Sequence, residues 1–316
     1  MHSWRRSPPL VSIGLPVRNG AHCVAHAIAD LLGQDYPELE LLISDNASTD
    51  GTPEVCGRFA ADPRVQFIQQ GRNIGALANF GAVLSRARGD FFMWAACDDR
   101  WHPSYVSKLV QRLQDTPDAV VAMSAIERVW EATAERRIVR YRGADNPERM
   151  PWLPLAVAAA TGRPYYLYIY GLYRTSFLRR AFANFPSVLG GDKLFVAQVA
   201  MAGRLSYVDE VLHTRLVASQ PLRLRFAQDE HGREWGRPLA TWATIAATGP
   251  YLARSRVIPL RRKLAIPLLV LRVALADNLY VGFYNLFSQI GYRLLGDRFV
   301  LVRAQLRQAV RRFGAQ

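Results

Sequence analysis

The acids with the most chemical promise are Asp98 and Asp99, which follow the apolar run Phe91-Phe92-Met93-Trp94-Ala95-Ala96-Cys97. A carboxylate at the end of a buried strand is costly to desolvate without a partner. A hard divalent cation is one suitable partner, because Mg2+ takes one or two protein carboxylates together with phosphate oxygens and water. The competing expectation is that either acid caps a helix starting near Pro103. Asp45 stands in the polar turn Ser44-Asp45-Asn46-Ala47-Ser48-Thr49-Asp50-Gly51-Thr52. Its carboxylate is placed to accept hydrogen bonds from a nucleobase or ribose, while Ser48, Thr49 and Asp50 are natural turn and cap formers. In Gly71-Arg72-Asn73-Ile74-Gly75, Arg72 can pair with phosphate or stack on a base, ahead of a helix start that favours anions.

These residues need a frame that brings them together, and the apolar pattern supplies one. Residues 10–17, 39–44, 65–69, 91–96 and 119–125 read as strands bounded by Gly, Pro, Asn or Asp. Residues 21–34, 52–61, 75–88 and 103–115 carry apolar side chains at helical spacing between them. Such alternation predicts an α/β fold, a mostly parallel, Rossmann-like sheet with helices on both faces. Ligands then sit beyond the carboxyl ends of the strands, where Arg18, Asn19, Asp45, Arg72, Asn73, Asp98 and Asp99 all fall. Further on, 129–142 suggests a hairpin, 165–173 a strand rich in Tyr, 177–185 and 189–202 helices, and 205–212 a strand. Alternating Tyr165, Tyr166, Tyr168, Tyr170 and Tyr173 are expected in the core rather than as a stacking platform for a ligand; Trp101 is the better candidate for contact with a second substrate. Past residue 221 only helical patterns remain, at 238–247, 264–276, 279–295 and 299–313. The chain is therefore divided into a tail, 1–9; a catalytic domain, 10–220, with halves 10–125 and 126–220; and a basic helical region, 221–316.

Composition narrows the partners. Of the net charge of +14 over 316 residues, +10 falls in residues 251–316, so the basic character belongs to the C-terminal region and suggests an anionic partner. Arg303, Arg307 and Arg311 recur beside Phe299, Val302, Leu306, Val310 and Phe313, which suits a helix lying on a membrane surface. The alternative is a helical subdomain packed on the catalytic domain or on a second copy in a homodimer. No uncharged stretch there reaches the ~20 residues of a spanning helix. Nucleic acid is not expected as a partner, because the cations avoid the strand-end loops and no recognition motif occurs. Cys23, Cys56 and Cys97 form no CxxC pair and argue against a disulfide framework or a zinc site, and for a reducing compartment. No GxGxxG follows a strand, against a nicotinamide enzyme. Pro16-Val17-Arg18-Asn19-Gly20 is a poor version of a nucleotidyltransferase loop, which keeps that class only as an alternative, beside a basic membrane- or nucleic-acid-binding protein with a degenerate nucleotide site.

Val11-Ser12-Ile13-Gly14-Leu15-Pro16-Val17-Arg18-Asn19-Gly20, the 45–52 turn, Asn73-Ile74-Gly75 and Asp98-Asp99 resemble the family 2 glycosyltransferases in order and spacing, over about residues 11–219. The resemblance implies the GT-A fold and an inverting transfer of sugar from a nucleotide-diphosphate sugar to a glycan or lipid-linked acceptor. UDP is the default donor nucleotide, with dTDP and GDP as alternatives. It implies that Pro16, Arg18, Asn19, Asp45, Ser48, Arg72 and Asn73 line the nucleotide site, that Asp98 matches the last carboxylate of the DxD motif, and that Asp98 and Asp99 hold Mg2+ or Mn2+. The motif's first position is Ala96. Gly190-Gly191-Asp192-Lys193-Leu194-Phe195 resembles the family's Glu-Asp helix start with Gly191 in place of Glu, so Asp192 matches the catalytic base and alternatively caps a helix. Arg215 and, with less weight, His213 fall where family members carry a cation near the diphosphate. A cytoplasmic location, peripheral at the inner face of the cytoplasmic membrane, follows as an expectation.

Overall fold

The computed structural model describes residues 8–161, 163–186, 188, 190–217 and 237–277, with the side chains of 237–244 and 276–277 left aside. The helices expected at 279–295 and 299–313, and the boundary near 220–236, lie outside the described residues.

A nine-stranded sheet runs through the chain. Its first part alternates strictly: β1 (Val11–Val17), α1 (Val24–Leu32), β2 (Leu39–Asp45), α2 (Thr52–Gly57), β3 (Val65–Gln69), α3 (Ala76–Arg86) and β4 (Phe91–Trp94). A three-residue strand, β5 (Asp99–Trp101), precedes α4 (Tyr105–Asp115) and the long β6 (Ala119–Trp130). β7 (Arg136–Val139), α5 (Trp152–Ala160), β8 (Leu172–Arg174), α6 (Thr175–Phe182), α7 (Gly191–Ala202) and β9 (Arg204–Val217) follow. Past the gap come α8 (Arg237–Arg254), α9 (Leu260–Lys263) and α10 (Ile266–Asp277).

The strand order is β3-β2-β1-β4-β8-β6-β9-β5, with β7 beside β6. β1, β2, β3 and β4 pair in parallel, as do β6 and β9, whereas β8, β5 and β7 join antiparallel. The sheet is mostly parallel, as expected. Both faces are dry: Phe91 and Met93 pack with Ile13, Leu15, Ile28 of α1 and Leu109 of α4, while Phe92 and Trp94 pack on the other side with Val83, Tyr173 and Phe195. The alternation within four residues is the period-two signature of a strand buried on both faces. Trp94 anchors the second core, with Phe80, Phe92 and Phe182 ring centroids 5.7, 5.2 and 5.2 Å away and its indole N–H donated to the Phe80 carbonyl at 3.2 Å.

Three expectations change. Residues 165–173 are not one strand but a 3₁₀ helix, Pro164–Tyr170, followed by β8. Pro164 is pre-set for the first turn, and the three-residue spacing then buries Tyr165 and Tyr168 together. α5 was not anticipated, because Leu-Pro-Leu followed by Ala-Val-Ala-Ala-Ala carries little periodicity. β5 was not anticipated either, since Asp-Arg-Trp becomes a strand only through its pairing with β9.

Candidate active site

Side chains tie the loops after β1, β2 and β3 into one polar shelf at the carboxyl ends of the parallel strands. Ser48 donates its hydroxyl and, at 3.2 Å, its backbone N–H to the Asp45 carboxylate. The Ser48 oxygen in turn accepts the Asn19 N–H at 2.8 Å, and Asn19 Oδ1 accepts the Thr49 N–H at 2.9 Å. Asn46 bridges onward, giving its amide to Asn73 Oδ1 at 2.9 Å and accepting the Ile74 N–H at 2.8 Å. Asn19 and Ala47 hold positive φ of 54° and 51°. For Ala47 that is strained backbone, of the kind that collects at ligand sites. Asp45 is fully buried. A carboxylate offers about four acceptor positions, so Ser48 leaves capacity for a further donor. Arg18, Arg72 and Asn73 stand exposed on the rim, and Pro16 is half-buried beside them.

Asp98 is half-buried at the tip of a β-turn, Ala96 to Asp99, closed by an Asp99 N–H to Ala96 carbonyl bond of 3.3 Å. Asp99 goes elsewhere. Its Oδ2 lies 2.9 Å from His213 Nε2, and the pair is 2% and 0% exposed. His213 stacks on Trp101 with centroids 5.5 Å apart and planes 7° apart. Trp101, expected near an acceptor, is thereby buried at 4% exposure, a correction that follows from β5 pairing with β9. Asp99, expected beside Asp98 as a metal ligand, has half its carboxylate committed to His213.

Arg215 is directly opposite Asp99 in the β5–β9 ladder and lies over the rings of Tyr166 and Tyr170, at 6.0 and 5.6 Å. Burial lowers its pKa, but Tyr170, Asp99, Tyr166 and Asp98 together raise it above the ordinary value. Tyr170 reports the same cluster: burial pushes its hydroxyl up, Arg215 pulls it down, and Asp99, Asp98 and Asp192 push it up again. Asp98, Asp192 and Arg215 therefore share one electrostatic neighbourhood around Tyr170.

Asp192 sits in the first turn of α7 behind an N-cap that is Gly190, left-handed at φ 82°, so Asp192 is not the cap. Gly191 has a specific reason to be glycine: a Cβ there would stand 2.4 Å from the Pro186 carbonyl oxygen. The Glu of the resembled motif has no room on this backbone. Sequence reasoning gave His213 little weight; its partner lies 114 residues away, a pairing that only the β5–β9 ladder exposes.

No group of three His, Cys, Asp or Glu side chains with metal-holding geometry occurs among the described residues. Asp98 at a turn tip fits a Mg2+-like cation held by one protein carboxylate, water and phosphate oxygens, rather than a closed protein cage.

Residues 12–182 match the family described as Glycosyl transferase family 2. An uncharacterized protein of Mycobacterium tuberculosis is 38% identical over 104 residues, 32% of this chain and 30% of that protein; the chain thus spans under a third of that relative. The fold is shared with S. aureus TarS 1-349 in complex with UDP, at a TM-score of 0.62 and 16% identity, over 89% of this chain and 75% of that one. It is also similar to the mannosyltransferase PcManGT from Pyrobaculum calidifontis in complex with GDP-Man and Mn2+, at a TM-score of 0.50 and 20% identity, over 97% and 90%. With a curled, mostly parallel GT-A sheet and a match over more than half its length, the chain belongs to glycosyl transferase family 2.

Proposed function

We propose that the protein is an inverting glycosyltransferase that moves a sugar from a nucleotide-diphosphate sugar to a glycan or lipid-linked hydroxyl. The observation that carries this reading is that Arg215 stands opposite Asp99, the neighbour of Asp98, in the β5–β9 ladder and over the Tyr170 ring, next to strand ends where the Asp45–Ser48–Asn19 network forms a polar shelf. The nucleoside sits on that shelf, with Asp45 and Ser48 toward the base and ribose and Asn73, Pro16 and Asn19 lining it. Arg18, Arg72 and Arg215 face the diphosphate, for which guanidinium geometry is suited.

Asp98 would hold Mg2+ or Mn2+, which when bound would neutralise charge on the departing diphosphate. Asp99 keeps that turn in place through His213. Asp192 takes the proton from the acceptor hydroxyl as its oxygen attacks the anomeric carbon from the side opposite the diphosphate. One displacement with one base inverts the anomeric centre. UDP is the first donor nucleotide to test, supported by the UDP-bound fold relative, and GDP is the second.

No helix among the described residues is long and apolar enough to cross a membrane. α10 nevertheless leaves Leu268, Leu271 and Leu275 44, 55 and 51% exposed beside Arg272, which supports peripheral contact of the basic region, 221–316, with an anionic membrane face. A panel of UDP-, dTDP- and GDP-sugars with Mn2+ or Mg2+ tests the reading: the cognate donor raises the melting temperature and is turned over, and Asp98→Ala loses both. Full turnover by Asp98→Ala would overturn the metal assignment, and retention of configuration in the product would overturn the inverting mechanism.

A further inference from the structure

The fold brings Cys23 and Cys97, 74 residues apart in sequence, to a Sγ–Sγ distance of 3.5 Å. Both are partly exposed, whereas Cys56 is buried. We propose that Cys23 and Cys97 are a reversible disulfide site whose closure moves the turn that carries Asp98. The consequence for donor binding rests on the glycosyltransferase reading; the closure itself does not.

The two sides of the pair differ in firmness. Cys23 is fixed at the start of α1, where its own N–H and that of Val24 both bond the Gly20 carbonyl, at 3.0 and 2.9 Å. Cys97 and Asp98 are the two central residues of the Ala96-to-Asp99 turn, whose closing bond of 3.3 Å is at the long end of the hydrogen-bond range. The turn is pinned on either side, by the Ala95 N–H on the Gly14 carbonyl at 2.8 Å and by Asp99 on His213. A disulfide needs its sulfurs at about 2.05 Å, so the thiols must approach by about 1.5 Å from their present separation. That movement falls on Cys97 and Asp98. The path is open because Gly20 carries no side chain: a Cβ there would stand 3.1 Å from the Cys97 sulfur.

The oxidant is a small disulfide such as glutathione disulfide. The Cys23 thiolate attacks one of its sulfurs, the reagent's S–S bond breaks, and one glutathione leaves as thiolate. The Cys97 thiolate then attacks the Cys23 sulfur, forming the internal bond and releasing the second glutathione. The protein loses two electrons and two protons, and the reagent gains both. A dithiol reverses the sequence.

The test exposes the full chain to glutathione disulfide, alkylates the remaining thiols and measures intact and peptide masses. The expected result is loss of two of the three thiols with no glutathione retained, recovery on dithiothreitol, and one retained glutathione in Cys23→Ser and in Cys97→Ser. Two separate adducts in the unmutated protein, or three unaltered thiols, would overturn the site. Hydrogen exchange over residues 95–99 reads the coupling: it changes on oxidation of the unmutated protein and not in Cys23→Ser treated alike. Exchange unchanged by closure would overturn the coupling. UDP with Mn2+ should raise the melting temperature less in the oxidised form than in the reduced one. An equal rise in both would remove the effect on the donor site, whereas no rise in the reduced form counts against the functional reading and leaves the thiol result standing.

Discussion

Replacing Asp99 with Ala tests how β5 is held. Among the described residues His213 has one polar contact, Nε2 to Asp99 Oδ2 at 2.9 Å, and its Nδ1 is buried without a hydrogen-bond partner. Removing the carboxylate leaves a fully buried imidazole with none. An orphaned buried polar group costs about 1–3 kcal/mol, so a loss of about that size is expected. At roughly 2–4 °C per kcal/mol for a domain of this size, the melting temperature should fall by about 6 °C. Asp99→Asn keeps an acceptor oxygen for the ring and should lose less than about 1 kcal/mol. The exposed Asp115, bonded only to Gln111 at 2.8 Å, gives the control, since Asp115→Ala should stay within about 0.5 kcal/mol. Thermal unfolding followed by circular dichroism reads all three. If Asp99→Ala melted within about 2 °C of the unmutated protein, the pair would not be what keeps β5 on β9.

Gly191→Ala drives a Cβ to 2.4 Å from the Pro186 carbonyl and should cost about 1–3 kcal/mol while displacing Asp192; an unchanged melting temperature would show that Pro186 yields freely. Asp192→Asn should lower kcat by about 10²–10⁴-fold with donor-induced stabilisation intact, and weakened donor binding instead would place Asp192 on the donor. Burial pushes the Glu148 carboxyl up, but Arg112, Ser206 and the Tyr207 N–H outweigh it and hold its pKa below the ordinary value. A depressed pKa contributes stability above the unfolded value of about 4.3 and loses it as pH falls through the folded one. The melting-temperature gap between the unmutated protein and Glu148→Gln should therefore be widest near neutral pH and shrink below about pH 4; a gap that stayed constant into acid would contradict this.

The first half of the fold was legible because each strand there is a short apolar run with a turn behind it. Buried strands leave that mark whatever their neighbours. The polar loops after β1, β2 and β3 could be read as one site for the same reason, since parallel strands send their carboxyl ends to one edge. What escaped depends on partners distant in sequence. Asp-Arg-Trp is a strand only against β9, and His213 is a partner of Asp99 only across that ladder. Cys23 and Cys97 meet because β1 and β4 are adjacent and parallel. The tyrosines of 165–173 misled because aromatic residues at alternating positions look alike in a strand and in a proline-started 3₁₀ turn.

β8 has a further consequence. It lies between β4 and β6, bonded to both, and so welds the β1–β4 side of the sheet to the side that bears Arg215. A swing of one side toward the other about a hinge would have to tear those ladders. Among the described residues, adjustment to substrates is left to the loops at the strand ends, and hydrogen exchange in β8 should be the same with and without a donor.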